Sequence, residues 1–275
     1  MSFDSLFSHA TRLPSIPKIV QELIDSFENP NADMNKISVK IAQEPVITAK
    51  LLRVANSAHY GLPKQVSSVQ DACIIMGFPA VRTLVMASGL VDSMQMPMAL
   101  NKKEFWLNAF EVAGCAKWLS KMKKGSDANT AFTAGLIHTI GQLLMYAAEP
   151  TLALQLNQSM ENGTSRLQAE LKIFGYTHND VGAELAKRWK FPEIINAGLK
   201  FQDDPQKATP ASEMATLLYL AKHIVVLDPK SINGEAFIAN LPKEIIANPP
   251  VDLSLLSKAL ADLPDFTGGI SSLLE

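Results

Sequence analysis

Apolar residues recur at helical spacing along almost the whole chain. In the segment 18–27 the polar residues Lys18, Glu22 and Asp25 lie off the apolar face, which consists of Ile19, Val20, Leu23, Ile24 and Phe27. We find no convincing stretch with the two-residue period of a half-buried strand, and no internal repeat. The pattern predicts an all-α protein with many short-to-medium helices packed around one elongated core.

Capping residues indicate where several of these helices begin, because their side chains can accept hydrogen bonds from the free backbone N–H groups of a first turn. Three helices have candidate N-cap residues: Asp33, Ser67 or Ser68, and Asn101. The tetrapeptides Ser165–Gln168 (SRLQ) and Thr177–Asp180 (THND) both fit the capping-box pattern. Gly175 separates the two helices that these tetrapeptides open, as a residue after a helix C-terminus does.

Composition limits the classes of function. The chain has 275 residues and a net charge of −2, so no basic surface favours DNA or RNA as a partner. Cys73 and Cys115 are far apart and belong to no Cys/His cluster, which indicates buried free thiols rather than a zinc site. The uncharged stretch Thr130–Ala148 contains Thr, His, Gln and Gly, which favours a buried helix over a membrane span. The start of the chain lacks the pattern of a signal peptide, and a cytoplasmic location is expected.

Three stretches carry a more specific pattern than composition. They are Leu13 to Gly61, Val66 to Ser88, and "AGLIHTIGQLLM" (134–145) followed by "YTHNDVGAELAKRWKFPE" (176–193). Their order and content resemble the HDOD family, bacterial relatives of the HD-domain metal-dependent phosphohydrolases. The most specific part is "EPVITAKLLRVANSAHYG" (44–61). The resemblance implies a multi-helical HD-like fold and a non-catalytic regulatory role in bacterial signal transduction.

The resemblance also suggests how the chain is divided. It places an HDOD domain at 13–204 and leaves 205–275 as a helical C-terminal extension, packed on or beside that domain. The best candidate for a linker is Gln202–Pro210 (QDDPQKATP), which is rich in polar residues and proline.

The family pattern allows a test of metal chemistry. HD hydrolases hold divalent metals with a first His, an adjacent His-Asp pair and a later Asp. In this chain Asn108 stands at the first position, the pair is His138-Thr139, and Phe201-Gln202 replace a frequent His pair. A Thr hydroxyl is not ionised near neutral pH and is a poor ligand for a divalent ion. Of the matched positions only His138 is a good ligand, so we expect no bound metal, no other cofactor and no catalytic residue.

The matched residues predict a vestigial HD pocket, composed of Asn108, His138, Thr139, His178 and Gln202. A histidine on an apolar helix is more often a hydrogen-bonded core residue than a ligand, and we favour that interpretation for His138. At a helix start His178 is most simply a surface or capping residue, with a position near the pocket as the alternative. The acidic pair Asp203-Asp204 is predicted to lie in a loop.

Two functions remain open. The first is a regulatory module that binds a signalling protein or a small ligand. Met94, Met96 and Met98 share a loop, and a partner contact is possible there for an adaptable side chain. The second is a metal-dependent phosphohydrolase, acting on a nucleotide or cyclic-dinucleotide phosphoester, with an altered metal site. Neither nucleic acid nor a membrane is expected as a partner.

Overall fold

The computed structural model describes residues 3–8, 16–27, 33–57, 65–123, 127–228, 232–267 and 270–274. Within these ranges the protein is helical and contains no β-strand, as predicted. The first seven helices are α1 Phe3–Ser8, α2 Lys18–Asp25, α3 Met34–Ala42, α4 Pro45–Ala55, α5 Val69–Met76, α6 Phe78–Ser93 and α7 Lys102–Ser120. The next seven are α8 Ala128–Leu136, α9 Ile140–Ala148, α10 Pro150–Glu161, α11 Arg166–Ile173, α12 His178–Arg188, α13 Glu193–Phe201 and α14 Glu213–Ile224. The last three are α15 Gly234–Ala239, α16 Lys243–Ala247 and α17 Leu253–Ala259.

Side-chain caps mark eight of the seventeen described α-helix starts. Asp33 and Ser68 cap α3 and α5, and Asn101 caps α7. Thr177 forms a complete capping box with Asp180 at the start of α12. The capping box predicted at Ser165 is wrong, because the Ser165 side chain makes no capping hydrogen bond.

One hydrophobic core joins the described parts of the chain. Helix α7 packs against α8 and α14, while α12 contacts both α9 and α13. The uncharged stretch 130–148 lies in this core. Of the most apolar part of the segment Ala128–Ala148, 94% is buried. It was predicted as one buried helix, but it consists of α8 and α9 with a turn between them.

The C-terminal region packs on the same core. Helix α14 contacts α7, α8 and α13, and a final 3-10 helix, Ile270–Leu274, contacts α4, α6 and α7. The segment 202–210, predicted as a linker, joins α13 to α14 but is packed: Gln202 and Pro205 are buried, and a short 3-10 helix, Pro205–Lys207, contacts α13 and α14. The chain therefore passes from α13 to α14 through a packed connection.

Candidate functional site

His138 lies in the turn between α8 and α9 rather than on a helix, and its side chain is only 2% exposed. Its Nδ1 donates to the carbonyl oxygen of Gly135, 2.7 Å away. In a continuous helix that carbonyl would accept the backbone N–H of Thr139. In the break this carbonyl accepts from the imidazole and, at 3.4 Å, from the backbone N–H of His138. The neutral ring keeps a lone pair on Nε2.

Gln202 satisfies a second carbonyl of the same break. Its Nε2 donates to the carbonyl oxygen of His138 at 2.8 Å and to that of Leu199 at 3.0 Å. The backbone N–H of Gln142, which would bond His138 in a continuous helix, instead bonds Thr139. Gln202 is fully buried, and it connects the end of α13 to the turn that carries His138.

The closeness of α9 and α12 depends on Gly141. A Cβ atom at this position would lie 2.1 Å from the carbonyl oxygen of His178 and 2.6 Å from the backbone nitrogen of Gly182. Only a glycine allows the two helices to approach this closely. The close approach places the start of α9, next to His138 and Thr139, beside the start of α12, where His178 lies.

His178 is buried, so a surface position is wrong, although the residue does follow the N-cap Thr177 as its capping neighbour. Its backbone N–H donates to Oε2 of Glu170 at 2.9 Å, and its Nδ1 lies 2.8 Å from the same oxygen. A carboxylate accepts, so Nδ1 carries the proton. Glu170 is fully buried on α11, with Arg166 3.7 Å away. This cluster, the glutamate cluster, consists of Glu170, His178 and Arg166.

A second cluster surrounds Asp203, which follows α13. The ammonium group of Lys222, from α14, donates to Oδ1 of Asp203 at 2.6 Å and to Oε1 of Gln202 at 3.2 Å. Nδ2 of Asn179 donates to Oδ2 of Asp203 at 2.8 Å. We call Lys222, Asp203, Gln202 and Asn179 the lysine cluster. Burial alone would raise the pKa of Asp203, but the Lys222 charge and the hydrogen bonds of Lys222 and Asn179 lower it below its usual value.

The two clusters set the electrostatics around His138. Burial is the main cause that lowers the pKa of His138 to about 3, and the positive charge of Lys222 adds to it. The hydrogen bond to Gly135 and the charge of Asp203 act in the opposite direction without reversing the shift. His138 is therefore a neutral imidazole throughout the physiological pH range.

The structure gives each predicted pocket residue a definite place. It brings His138, Thr139, His178 and Gln202 to adjoining buried positions around the turn, and Thr139 has a buried hydroxyl without a hydrogen-bond partner. Asn108 does not belong to this group of buried residues. Its side chain is exposed on α7, although Trp106 two residues earlier is buried. Residues two apart on a helix face nearly opposite directions.

Sequence reasoning missed Glu170, Asn179 and Lys222, and it placed Asp203 in a loop without a partner. Lys222 had a local signal, because it is the one lysine within the apolar run of α14. Glu170 and Asn179 had none, since their partners are set by the packing of α9, α11, α12 and α13.

The HD-like fold implies a divalent metal, but these side chains do not fit one. Among the residues that the structure describes, no three His, Cys, Asp or Glu side chains are grouped so that they could hold a metal ion. The carboxylate of Glu170 is bound by His178, and that of Asp203 by Lys222 and Asn179. A divalent ion beside His138 would meet the ammonium group of Lys222 instead of a free carboxylate.

The helical packing and the broken helix around His138 define a protein of the HD-like class. The chain belongs to the HDOD domain family, whose model matches residues 13–205. It is similar to the crystal structure of a "Putative phosphohydrolase" from Shewanella amazonensis SB2B, with 32% identity, a TM-score of 0.84 and 98% of each chain covered.

Two further relatives are longer than this chain. The structure of a "Putative signal transduction protein" from Marinobacter aquaeolei VT8 is 23% identical, with a TM-score of 0.78, and covers 98% of this chain and 60% of that chain. An uncharacterised protein of Treponema pallidum (strain Nichols) is 24% identical over 258 residues, which are 87% of this chain and 47% of that protein. The chain thus spans about half the length of the curated relative that it matches.

Proposed function

We propose that this protein is a non-catalytic regulatory module of bacterial signal transduction, which acts by binding a signalling protein or a small ligand. The observation that carries the proposal is the internal pairing of the charged groups around His138. Lys222 and Asn179 bind Asp203, and His178 binds Glu170. The hydroxyl of Thr139, which stands where the family pattern has a carboxylate, supplies no charge.

This pairing matters because metal-assisted hydrolysis needs an open coordination position and anionic or neutral donors that lower the pKa of a bound water. In this site the neutral imidazole of His138 is the only matched donor, and the nearest cation is the protein's own lysine. A scaffold that keeps the fold but uses its polar groups internally is suited to binding rather than to turnover. The name of the Marinobacter aquaeolei relative, a putative signal transduction protein, supports the same role.

The test measures metal content and phosphoester turnover on the same preparations. Untagged protein is incubated with manganese, iron or zinc, desalted, and analysed by plasma mass spectrometry. We expect far less than one metal ion per chain, and no metal-dependent hydrolysis of bis-p-nitrophenyl phosphate above the rate of buffer. Near-stoichiometric metal that disappears in His138→Ala, together with turnover, would contradict the proposal. His223→Ala is the matched control, because His223 is an exposed histidine on α14.

A second candidate is a metal-dependent phosphohydrolase of the HD superfamily, acting on a nucleotide or cyclic-dinucleotide phosphoester. It is favoured by the geometry of the two imidazoles, since His138 and His178 both use Nδ1 as the donor and retain Nε2 for another contact. The phosphohydrolase name of the Shewanella amazonensis relative also favours it. Manganese-dependent hydrolysis of a cyclic dinucleotide that is lost in both His138→Ala and His178→Ala would establish this candidate.

A protein partner is supported at one surface position. Of the three methionines in the loop after α6, Met94 is buried, whereas Met98 is fully exposed. An exposed methionine is an adaptable apolar contact for a partner. We expect Met98→Asp to weaken capture of a signalling partner while the melting temperature stays unchanged. Leu154→Asp, at another exposed apolar residue, tests whether the effect is specific to this loop.

A further inference from the structure

Lys222 extends from α14 into a polar interior. Its side chain is 21% exposed, close to the 22% of its partner Asp203. Burial lowers the pKa of Lys222, while the carboxylates of Asp203 and Glu170 oppose that shift. A lysine that is largely removed from solvent is unfavourable unless its charge is compensated, and Asp203 supplies the compensation at 2.6 Å.

The atoms around the Lys222 ammonium group are oxygens, which are the ligand atoms that hard cations prefer. Oδ1 of Asp203 and Oε1 of Gln202 both accept from Nζ of Lys222. Asn179, whose amide nitrogen is bonded to Asp203, has a buried Oδ1 without a hydrogen-bond partner. One carboxylate and one neutral amide oxygen match the single positive charge of the Lys222 ammonium group.

We propose that the ammonium group of Lys222 is the built-in cation of this site and takes the place of the divalent metal that the HD-like fold implies. Asp203 and Gln202 then act as its ligands, and Asn179 holds the second carboxylate oxygen of Asp203. Gln202 transmits the arrangement to the turn of His138 through its bond to the His138 carbonyl. The turn between α8 and α9 is thus held in one arrangement without a metal. This inference rests on the proposed non-catalytic role and names the group that makes metal unnecessary.

The test asks whether a metal can replace the lysine. Melting temperature is measured by circular dichroism across a manganese titration for the wild type, Lys222→Ala and the double variant Lys222→Ala/Asp203→Asn. We expect Lys222→Ala to melt lower than the wild type and to recover by about 5 °C, saturably, as manganese enters the vacated position. The wild type and the double variant are expected to show no saturable response.

The matched control is Lys207→Ala, because Lys207 forms an exposed ion pair with Asp204, next to the site, and is 76% exposed. It is expected to melt like the wild type with and without manganese. If Lys222→Ala does not fold, Lys222→Met, which retains the packing of the alkyl chain, replaces it in the same titration.

Two results would overturn the inference and separate its failure from that of the proposed function. A folded Lys222 variant whose melting temperature ignores manganese would contradict the cation role and leave the regulatory proposal intact. Saturable binding of one manganese ion per chain by the wild type, lost in Asp203→Asn, would contradict both. The second measurement needs no Lys222 variant, so it tests the inference even if every such variant fails to fold.

Discussion

His138 and His178 are two buried imidazoles that use the same ring nitrogen as donor but have different acceptors. Nδ1 of His138 bonds a neutral carbonyl, that of Gly135, whereas Nδ1 of His178 bonds the carboxylate of Glu170. Burial and the nearby Lys222 keep His138 neutral. The comparison shows that the family position of a histidine does not define its chemistry, because the acceptor and the nearest charge decide what the ring can do.

The largest effect is expected when the acceptor of His178 is removed. Glu170→Ala removes a fully buried carboxylate that accepts from both the backbone and the ring of His178. We expect the free energy of unfolding to fall by about 3–5 kcal/mol, because the donors of His178 lose their partner in the interior. Urea denaturation measures it, and a loss below about 1 kcal/mol would show that water replaces the carboxylate.

Glu184→Ala provides the control for this experiment. Glu184 pairs with Arg188 on α12, and both side chains are partly exposed. Such a surface pair contributes about 0.5 kcal/mol or less, so the variant should unfold nearly like the wild type.

The second-largest effect is expected from a substitution that pushes α9 away from α12 and so separates His138 from His178. Gly141→Ala would place a Cβ against the backbone of α12, and we expect a loss of about 3 kcal/mol because neither helix backbone can move without disturbing the core. Gly182→Ala is the matched control, since its Cβ would have ordinary contacts, 3.5 Å or more from its neighbours. Alanine favours a helix by up to about 1 kcal/mol over glycine, so this variant should be neutral or slightly stabilised. Equal losses in both variants would contradict the close-approach argument.

The helices were largely predictable because their signals are local. Periodicity and side-chain caps act within a few residues, so Asp33, Ser68 and Thr177 mark real helix starts. Ser165 has the backbone conformation of an N-cap, yet its hydroxyl makes no capping bond. A sequence pattern identifies a residue that can cap, but it does not fix the rotamer that does so.

The site was less predictable because its partners come from distant segments. The family pattern grouped His138 and Gln202 in one pocket but placed His138 on a helix, and it also included Asn108, which the structure leaves exposed. Neither Glu170 nor Lys222 belongs to the matched positions, yet they supply the charges that control the site. Such pairings depend on how α11 and α14 pack against α12 and α13, which no short motif encodes.

The neutral state of His138 can be tested by the pH dependence of the free energy of unfolding. Its pKa is about 3 in the folded protein against 6.5 for an unperturbed histidine. As pH falls below about 6.5 the unfolded chain binds the proton first, so this group makes the protein less stable as pH falls towards 3. Between pH 7 and pH 5 we expect about 2 kcal/mol of unfolding free energy to be lost through this group.

His138→Asn should remove that component, so its stability should depend less steeply on pH than that of the wild type. The exposed His223 provides the control, and His223→Asn should retain the wild-type slope. Parallel curves for the wild type and His138→Asn would mean that the folded protein protonates His138 and that the turn opens to water.

The smallest effect concerns Thr139, the residue beside His138. Its hydroxyl is buried without a partner, whereas the hydroxyl of Thr133 on α8 donates to the carbonyl of Asn129 at 3.0 Å. Thr139→Val should therefore be neutral or stabilising by less than about 1 kcal/mol, because an unsatisfied polar group is removed at nearly constant shape. Thr133→Val, at another buried position, should cost about 1 kcal/mol. A larger loss in Thr139→Val than in Thr133→Val would indicate a buried water on the Thr139 hydroxyl, and it would identify a polar contact beside His138 that the side chains alone do not supply.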